Sequence, residues 1–93
     1  MVTIIENWAE IEGTVKSILG NPALSEYTIV NLELAASAEV ESFPNLARAD
    51  EGSTIRINVR TADLEHHGIL PGQKLRCVVR KAAGQMYFIK QGG

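Results

Sequence analysis

Apolar and polar residues alternate along most of this chain, and that period of two predicts β-strands. The clearest run is residues 53–60, where the apolar residues are Ile55, Ile57 and Val59 and the polar residues between them are Arg56, Asn58 and Arg60. Successive side chains of a strand point to opposite faces. The run therefore predicts a strand with one buried face and one face that shows two guanidinium groups to solvent.

The same alternation predicts five strands in all. In chain order they are residues 8–19, 27–34, 53–60, 74–81 and 86–90. Gly13 interrupts the first strand, and a glycine inside a strand usually marks a bulge or a sharp bend. Such a bend lets a strand curl around a small barrel, and residues 82–85 are predicted to close a hairpin between the last two strands.

A short helix is predicted over residues 61–68, between the third and fourth strands. Thr61 is expected to be its N-cap and Gly68 its end, and acidic residues in the first turn complement the helix dipole. Leu64 and Ile69 are expected to face the barrel and to close one of its ends.

Residues 35–52 give two alternatives. The segment is rich in Ala, Ser and Glu, and it either extends the second strand as a ribbon or forms a long loop with one helical turn. Loops of this length are uncommon in compact domains and are often functional. Phe43 and Leu46 are expected to attach the segment to the barrel.

The 93 residues form one predicted domain, 1–93, with room for a single core. No apolar run approaches the roughly 18 residues that a membrane-spanning helix needs, and the N-terminus lacks the pattern of a secretory signal. The single Cys77 lies in an alternating strand, where a buried, reduced thiol is expected. These features predict a soluble protein located in the cytoplasm.

The net charge of −2 is divided unevenly along the chain. Residues 1–53 hold two basic and nine acidic side chains, whereas residues 54–93 hold seven basic and two acidic ones. One interpretation is a barrel with a basic wall that attracts an anionic partner. The other, slightly favoured, is that neighbouring strands of opposite charge pair across the sheet and neutralise each other.

No motif in the chain indicates catalysis, a metal ion or a cofactor. His66 and His67 are adjacent, so they point about 100° apart on a helix, and no other histidine or second cysteine stands at ligand spacing. Nothing near Cys77 resembles a base that would activate it. The sequence therefore predicts a protein that is not an enzyme.

The order of three strands, a short helix and two strands resembles the OB-fold. The residues that carry the likeness are 10–18, similar to the glycine-containing first strand of many OB domains, and 70–79 with 85–89, similar to their final hairpin. The resemblance implies an all-β fold, a small five-stranded OB-like Greek-key barrel with one short helix between strands 3 and 4. An SH3-like barrel is the alternative.

The resemblance also implies a binding surface on strands 2 and 3 and the adjoining loops. Carried over by position, strand 2 would offer Tyr27 and Asn31, and strand 3 would offer Arg56, Asn58 and Arg60. The loop between strands 4 and 5 would offer Arg80, Lys81 and Gln85. Arg and Lys would neutralise phosphates, and Tyr27 or Tyr87 would stack on an unpaired base. A cross-strand ion pair with Glu33 is expected to occupy one arginine. For Tyr87 and Trp8 a half-buried structural role is favoured.

Two function classes follow. The favoured one is a non-enzymatic module that binds single-stranded DNA or RNA, chiefly through phosphate contacts. The alternative is a protein-interaction or accessory domain, in which the acidic half docks on a partner or two molecules pair with each other and nucleic acid has no role.

Overall fold

The chain folds into a closed barrel of five strands. A computed structural model describes residues 7–83 and 86–89. The strands are β1 (Ala9–Gly20), β2 (Tyr27–Glu39), β3 (Thr54–Arg60), β4 (Lys74–Ala83) and β5 (Met86–Ile89). Their order around the barrel is β1-β2-β3-β5-β4, with β4 paired back onto β1. Only β3 and β5 run parallel, and the other described pairs are antiparallel. The predicted all-β, five-stranded barrel is confirmed.

The helix between β3 and β4 has the predicted position. A 3₁₀ turn (Thr61–Asp63) leads into α1 (Leu64–His67), and Gly68 ends it with a φ of +65°. Ile69 is buried and Leu64 packs partly buried against the core, as predicted. The N-cap prediction for Thr61 is wrong. The turn already includes Thr61, whose hydroxyl is 2.8 Å from the Thr28 hydroxyl on β2.

The segment 35–52 combines both alternatives that the sequence left open. β2 continues to Glu39, and a 3₁₀ turn (Arg48–Asp50) follows farther along. Ala47 and Asp50 attach the segment to the barrel, with 1% and 8% of their surfaces exposed. The prediction for Leu46 is wrong because its side chain is 39% exposed, whereas Phe43 is half-buried.

Gly13 marks a bulge, as predicted. The pairing of β1 with β2 shifts register between Glu12 and Gly13, and Gly13 is buried at the shift. A Cβ at this position would lie well under 3.0 Å from the carbonyl oxygen of Glu33 on β2. The two strands therefore approach too closely for any residue except glycine.

The core fills the inside of the barrel. Its fully buried side chains come from the inward positions of the strands and include Ile11, Val15, Val30, Leu32, Leu34, Ile55, Ile57, Val59, Val79 and Tyr87. Cys77 packs partly buried against this core, and burial raises the pKa of its thiol to about 12. Within residues 7–83 and 86–89, no helix is long and apolar enough to cross a membrane.

Candidate functional site

The outward side chains of β2, β3, β5 and the end of β4 form one continuous surface, called the outer face below. The pairing registers place Ile29, Asn58, Phe88 and Arg80 in one row across the strands, with Tyr27 and Arg60 on one side and Asn31, Arg56 and Met86 on the other. The residues between them along the strands, such as Val30 and Ile57, point into the core. Neighbouring strands therefore gather side chains that are far apart in the sequence.

Three arginines lie on the outer face. Arg56 and Arg60 are exposed and Arg80 is half-buried. None of the three lies within 4.0 Å of a carboxylate in the part of the chain that the structure describes. The expected ion pair with Glu33 is wrong, because Glu33 lies opposite Thr54 and its carboxylate is 3.6 Å from Lys16. The described residues thus leave the charge of the three guanidinium groups available to an anion.

An aromatic pair lies among these arginines. The rings of Tyr27 and Phe88 meet edge to face, with centroids 5.9 Å apart and planes at 89°, a favoured geometry for two aromatic rings. Both side chains are half-buried. Phe88 was not predicted as a stacking residue. Tyr87 was named as one alternative for stacking, with a structural role favoured, and it is indeed a core residue, only 1% exposed. Adjacent residues on a strand face opposite sides of the sheet, so one of Tyr87 and Phe88 had to face outward. The sequence therefore contained the signal that could have identified Phe88.

Asn58 does not reach solvent, so its prediction as a surface residue is wrong. It has the outward position on β3 between Arg56 and Arg60, yet its exposed fraction is 0%. The loop between β1 and β2 contacts it: Asn21 Nδ2 donates to Asn58 Oδ1 at 2.8 Å, and Asn58 Nδ2 donates to the Tyr87 carbonyl at 3.3 Å. Both ends of the buried amide are hydrogen-bonded, which removes the usual penalty for burying it.

Lys81 also lies away from the outer face, contrary to the prediction. β4 continues to Ala83, so Lys81 is a strand residue rather than a loop residue, and it pairs with Tyr87 of β5. Its Nζ is 3.0 Å from Asp50 Oδ2 and 5.9 Å from the centroid of the Tyr87 ring. Asn7 fixes its backbone by donating to the Lys81 carbonyl and accepting from its N–H.

The Tyr87 hydroxyl donates to the same Asp50 oxygen at 2.5 Å. Burial, the hydrogen bond to Asp50 and the charge of that carboxylate together raise the pKa of Tyr87 above its ordinary value of 10. Asp50, Lys81 and Tyr87 therefore form one cluster. It joins the segment before β3 to β4 and β5, and its groups satisfy one another.

Two ion pairs join the basic half of the sequence to the acidic half. Arg76 on β4 donates to Glu10 on β1 at 2.6 Å, and this hydrogen bond and charge raise the pKa of the guanidinium. Lys81 and Asp50 make the second pair between the basic and acidic halves. Pairing between neighbouring strands is therefore confirmed for Arg76, whereas the partner of Lys81 lies in the 3₁₀ turn before β3. The three arginines of the outer face have no such pair among the described residues.

The structure thus brings together five of the seven predicted site residues, namely Tyr27, Asn31, Arg56, Arg60 and Arg80. Asn31 is half-buried and donates to the Ser17 hydroxyl at 2.9 Å. Gln85 lies outside the described residues. Among the residues described, no group of three or more His, Cys, Asp or Glu side chains is placed to hold a metal ion.

Comparisons of the chain with protein-family models, with curated proteins and with solved structures found no match. The candidate site is accordingly defined by its own geometry and charge.

Proposed function

We propose that this protein is an OB-fold domain that binds single-stranded nucleic acid on its outer face and catalyses no reaction. The strand order β1-β2-β3-β5-β4 and the helix between β3 and β4 support the fold assignment, because the OB-fold is a five-stranded Greek-key barrel that binds ligands on strands 2 and 3. The half-buried single thiol of Cys77 supports a reducing compartment such as the cytoplasm.

The observation that carries the proposal is the Tyr27–Phe88 ring pair among Arg56, Arg60 and Arg80. Nonspecific binders of single strands combine cationic groups that follow the backbone with aromatic rings on which bases stack. Unpaired bases offer a π-face to such rings, and base pairs in a duplex do not. The outer face supplies both elements side by side, which favours a single strand over a double helix.

The same arrangement limits specificity. Arginine contacts to phosphates fix the position of a ligand but carry no sequence information. Stacking on one ring pair accepts every base. Asn58, the outward amide in the middle of β3, is buried and hydrogen-bonded at both ends, so it is not available to read a base edge. We therefore expect the affinity to depend strongly on salt concentration and only weakly on the base sequence of the ligand.

The test is the affinity for a short oligo-dT, measured by fluorescence anisotropy at several salt concentrations, with amide NMR shifts to locate the contact. Three phosphate contacts predict a slope of log K against log salt of about −2, since each contributes about −0.7 for a single strand. Arg60→Gln should reduce this slope by about 0.7. Arg76→Gln is the matched control, because it removes the same charge from a guanidinium that Glu10 already neutralises.

The ring pair is tested separately by Phe88→Ala, which should weaken binding by about 1–3 kcal/mol and leave the salt slope unchanged. Equal losses in Arg60→Gln and Arg76→Gln would show that only net charge matters. Absent shifts on β2, β3 and β5 would refute nucleic-acid binding at the outer face.

A protein-interaction domain is the second candidate, and two exposed leucines favour it. Leu19 is 53% exposed and lies opposite Ile29 on the border of the outer face, and Leu24 in the neighbouring loop is 43% exposed. Both belong to the acidic half of the chain. This function predicts a size that rises with protein concentration in light scattering, that Leu19→Ser reverses, and that oligo-dT does not change.

A further inference from the structure

The loop between β1 and β2, residues 21–26, rests on the centre of the outer face through one asparagine pair. Asn58 is fully buried although it points away from the core, and the loop contacts its side chain. The contact is the 2.8 Å hydrogen bond from Asn21 Nδ2 to Asn58 Oδ1.

The orientation of both amides is fixed from the two ends. Asn21 Oδ1 accepts from the backbone N–H groups of Ala23 at 2.9 Å and Leu24 at 3.1 Å, which leaves its Nδ2 to point at Asn58. Asn58 Nδ2 donates to the Tyr87 carbonyl, which leaves its Oδ1 to accept from Asn21. One chain of hydrogen bonds therefore joins the loop to β3 and β5.

This chain reaches the aromatic pair. The Asn21 N–H donates to the Tyr27 carbonyl at 3.2 Å, and the Tyr27 N–H donates to the Leu24 carbonyl at 2.9 Å. Tyr27 is therefore held by the loop on both sides of its backbone. On the other side, Phe88 directly follows Tyr87, whose carbonyl accepts from Asn58. The amide pair lies between the two segments that carry the rings.

We propose that Asn21 and Asn58 are positioning residues, which do not touch the ligand and set the Tyr27–Phe88 geometry by docking the loop on β3. This inference rests on the proposed nucleic-acid site. It assigns to Asn58 a role that its outward position on β3 alone does not indicate. Ordering the rings before binding removes a conformational cost that the ligand would otherwise have to offset.

The test compares Asn21→Ser with Asn45→Ser. A serine hydroxyl still accepts from the turn amides, though more weakly, but it does not reach Asn58. Asn45 is the matched control in the segment before β3. Its Oδ1 accepts from the Ala47 N–H, and its Nδ2 donates to the Ser37 hydroxyl, so the same substitution removes an equivalent bond away from the outer face.

The measurements are NOEs between the Tyr27 and Phe88 rings in the free protein, the affinity for oligo-dT, and its salt slope. For Asn21→Ser we expect weaker ring NOEs, a loss of affinity of about ten-fold, near the low end of the effect of one stacked base, and an unchanged slope because every arginine remains. For Asn45→Ser we expect unchanged NOEs and affinity. A general loss of stability would instead affect both variants.

Unchanged ring NOEs in Asn21→Ser would overturn the inference, and so would lost NOEs with unchanged affinity. If the wild-type protein does not bind oligo-dT, the proposed function fails, and the ring NOEs alone still decide whether the loop positions the pair. Should Asn21→Ser not fold, Asn21→Asp keeps the turn acceptor and places an oxygen against Asn58 Oδ1. Asn45→Asp is its charge-matched control. For this pair the ring NOEs alone decide the inference, because a carboxylate beside the outer face also repels phosphates.

Discussion

Gly13→Ala tests the close approach of β1 and β2 that allows this barrel to close. The added Cβ would lie well under 3.0 Å from the Glu33 carbonyl oxygen and 3.0 Å from Leu32 Cδ2. The obstacle is backbone rather than a flexible side chain. Glu33 pairs with Thr14 on one side and Thr54 on the other, so its carbonyl is held within the sheet. One of the two strands must therefore move.

Overpacking of a core typically costs about 1–3 kcal/mol, and a fixed carbonyl places this substitution at the upper end. We expect Gly13→Ala to lower the free energy of unfolding by about 3 kcal/mol, a large fraction of the roughly 5–15 kcal/mol of a small domain. For a chain of this length that corresponds to a fall in Tm of about 15 °C. Urea unfolding and thermal melts followed by circular dichroism measure both quantities.

Gly20→Ala is the control. Gly20 also belongs to β1, and a Cβ there meets no atom within 4 Å among the described residues. Alanine should then be neutral or stabilising by up to about 1 kcal/mol, since it restricts the unfolded chain. If Gly13→Ala and Gly20→Ala were equally stable, the proposed strand approach and the bulge at Gly13 would be refuted.

Two further predictions concern buried ionisable groups. Asp50→Asn should destabilise the protein by about 2 kcal/mol in urea unfolding, because it leaves the half-buried Lys81 charge without its carboxylate. If the double variant with Lys81→Met recovered none of this stability, the ion pair would have no energetic role. Burial raises the pKa of the Cys77 thiol to about 12 in the folded protein, whereas the pKa of a cysteine thiol in the unfolded chain is near 8.5. Its contribution to stability is therefore complete below about pH 8.5 and is lost as the pH rises toward 12. Unfolding of the wild type and Cys77→Val at pH 7.5 and 10 should show the wild type losing about 1–2 kcal/mol more, and parallel losses would show that the thiol is not buried as described.

Much of the fold was predictable because strand alternation is a local property. The five strands, the bulge at Gly13 and the end of the helix at Gly68 each depend on residues that are adjacent in the sequence. The connection from β2 to β3 was less predictable. Ala47 and Asp50 are buried there because they pack against the barrel, and Asp50 accepts hydrogen bonds from Lys81 and Tyr87. The residues next to them in the sequence give no sign of these distant contacts.

The candidate site was predicted only in part for the same reason. Alternation placed Arg56 and Arg60 outward, and they are exposed. It also placed Asn58 outward, and the side chain does point away from the core. Alternation cannot show that Asn21, in the loop between β1 and β2, contacts it there. Lys81 was assigned to the loop between strands 4 and 5. The alternation of β4 instead places it on the inward face with Val79, where it contacts Asp50 and Tyr87.

The sequence by itself determined which residues can form strands and which face of each strand is apolar, because both follow from a period of two. Only the tertiary structure decided the registers between strands. Register brings Tyr27 against Phe88, sets Glu10 beside Arg76, and leaves three arginines together without a described carboxylate partner. These contacts join segments far apart in the chain, and the free energy that selects them comes from closing the whole barrel.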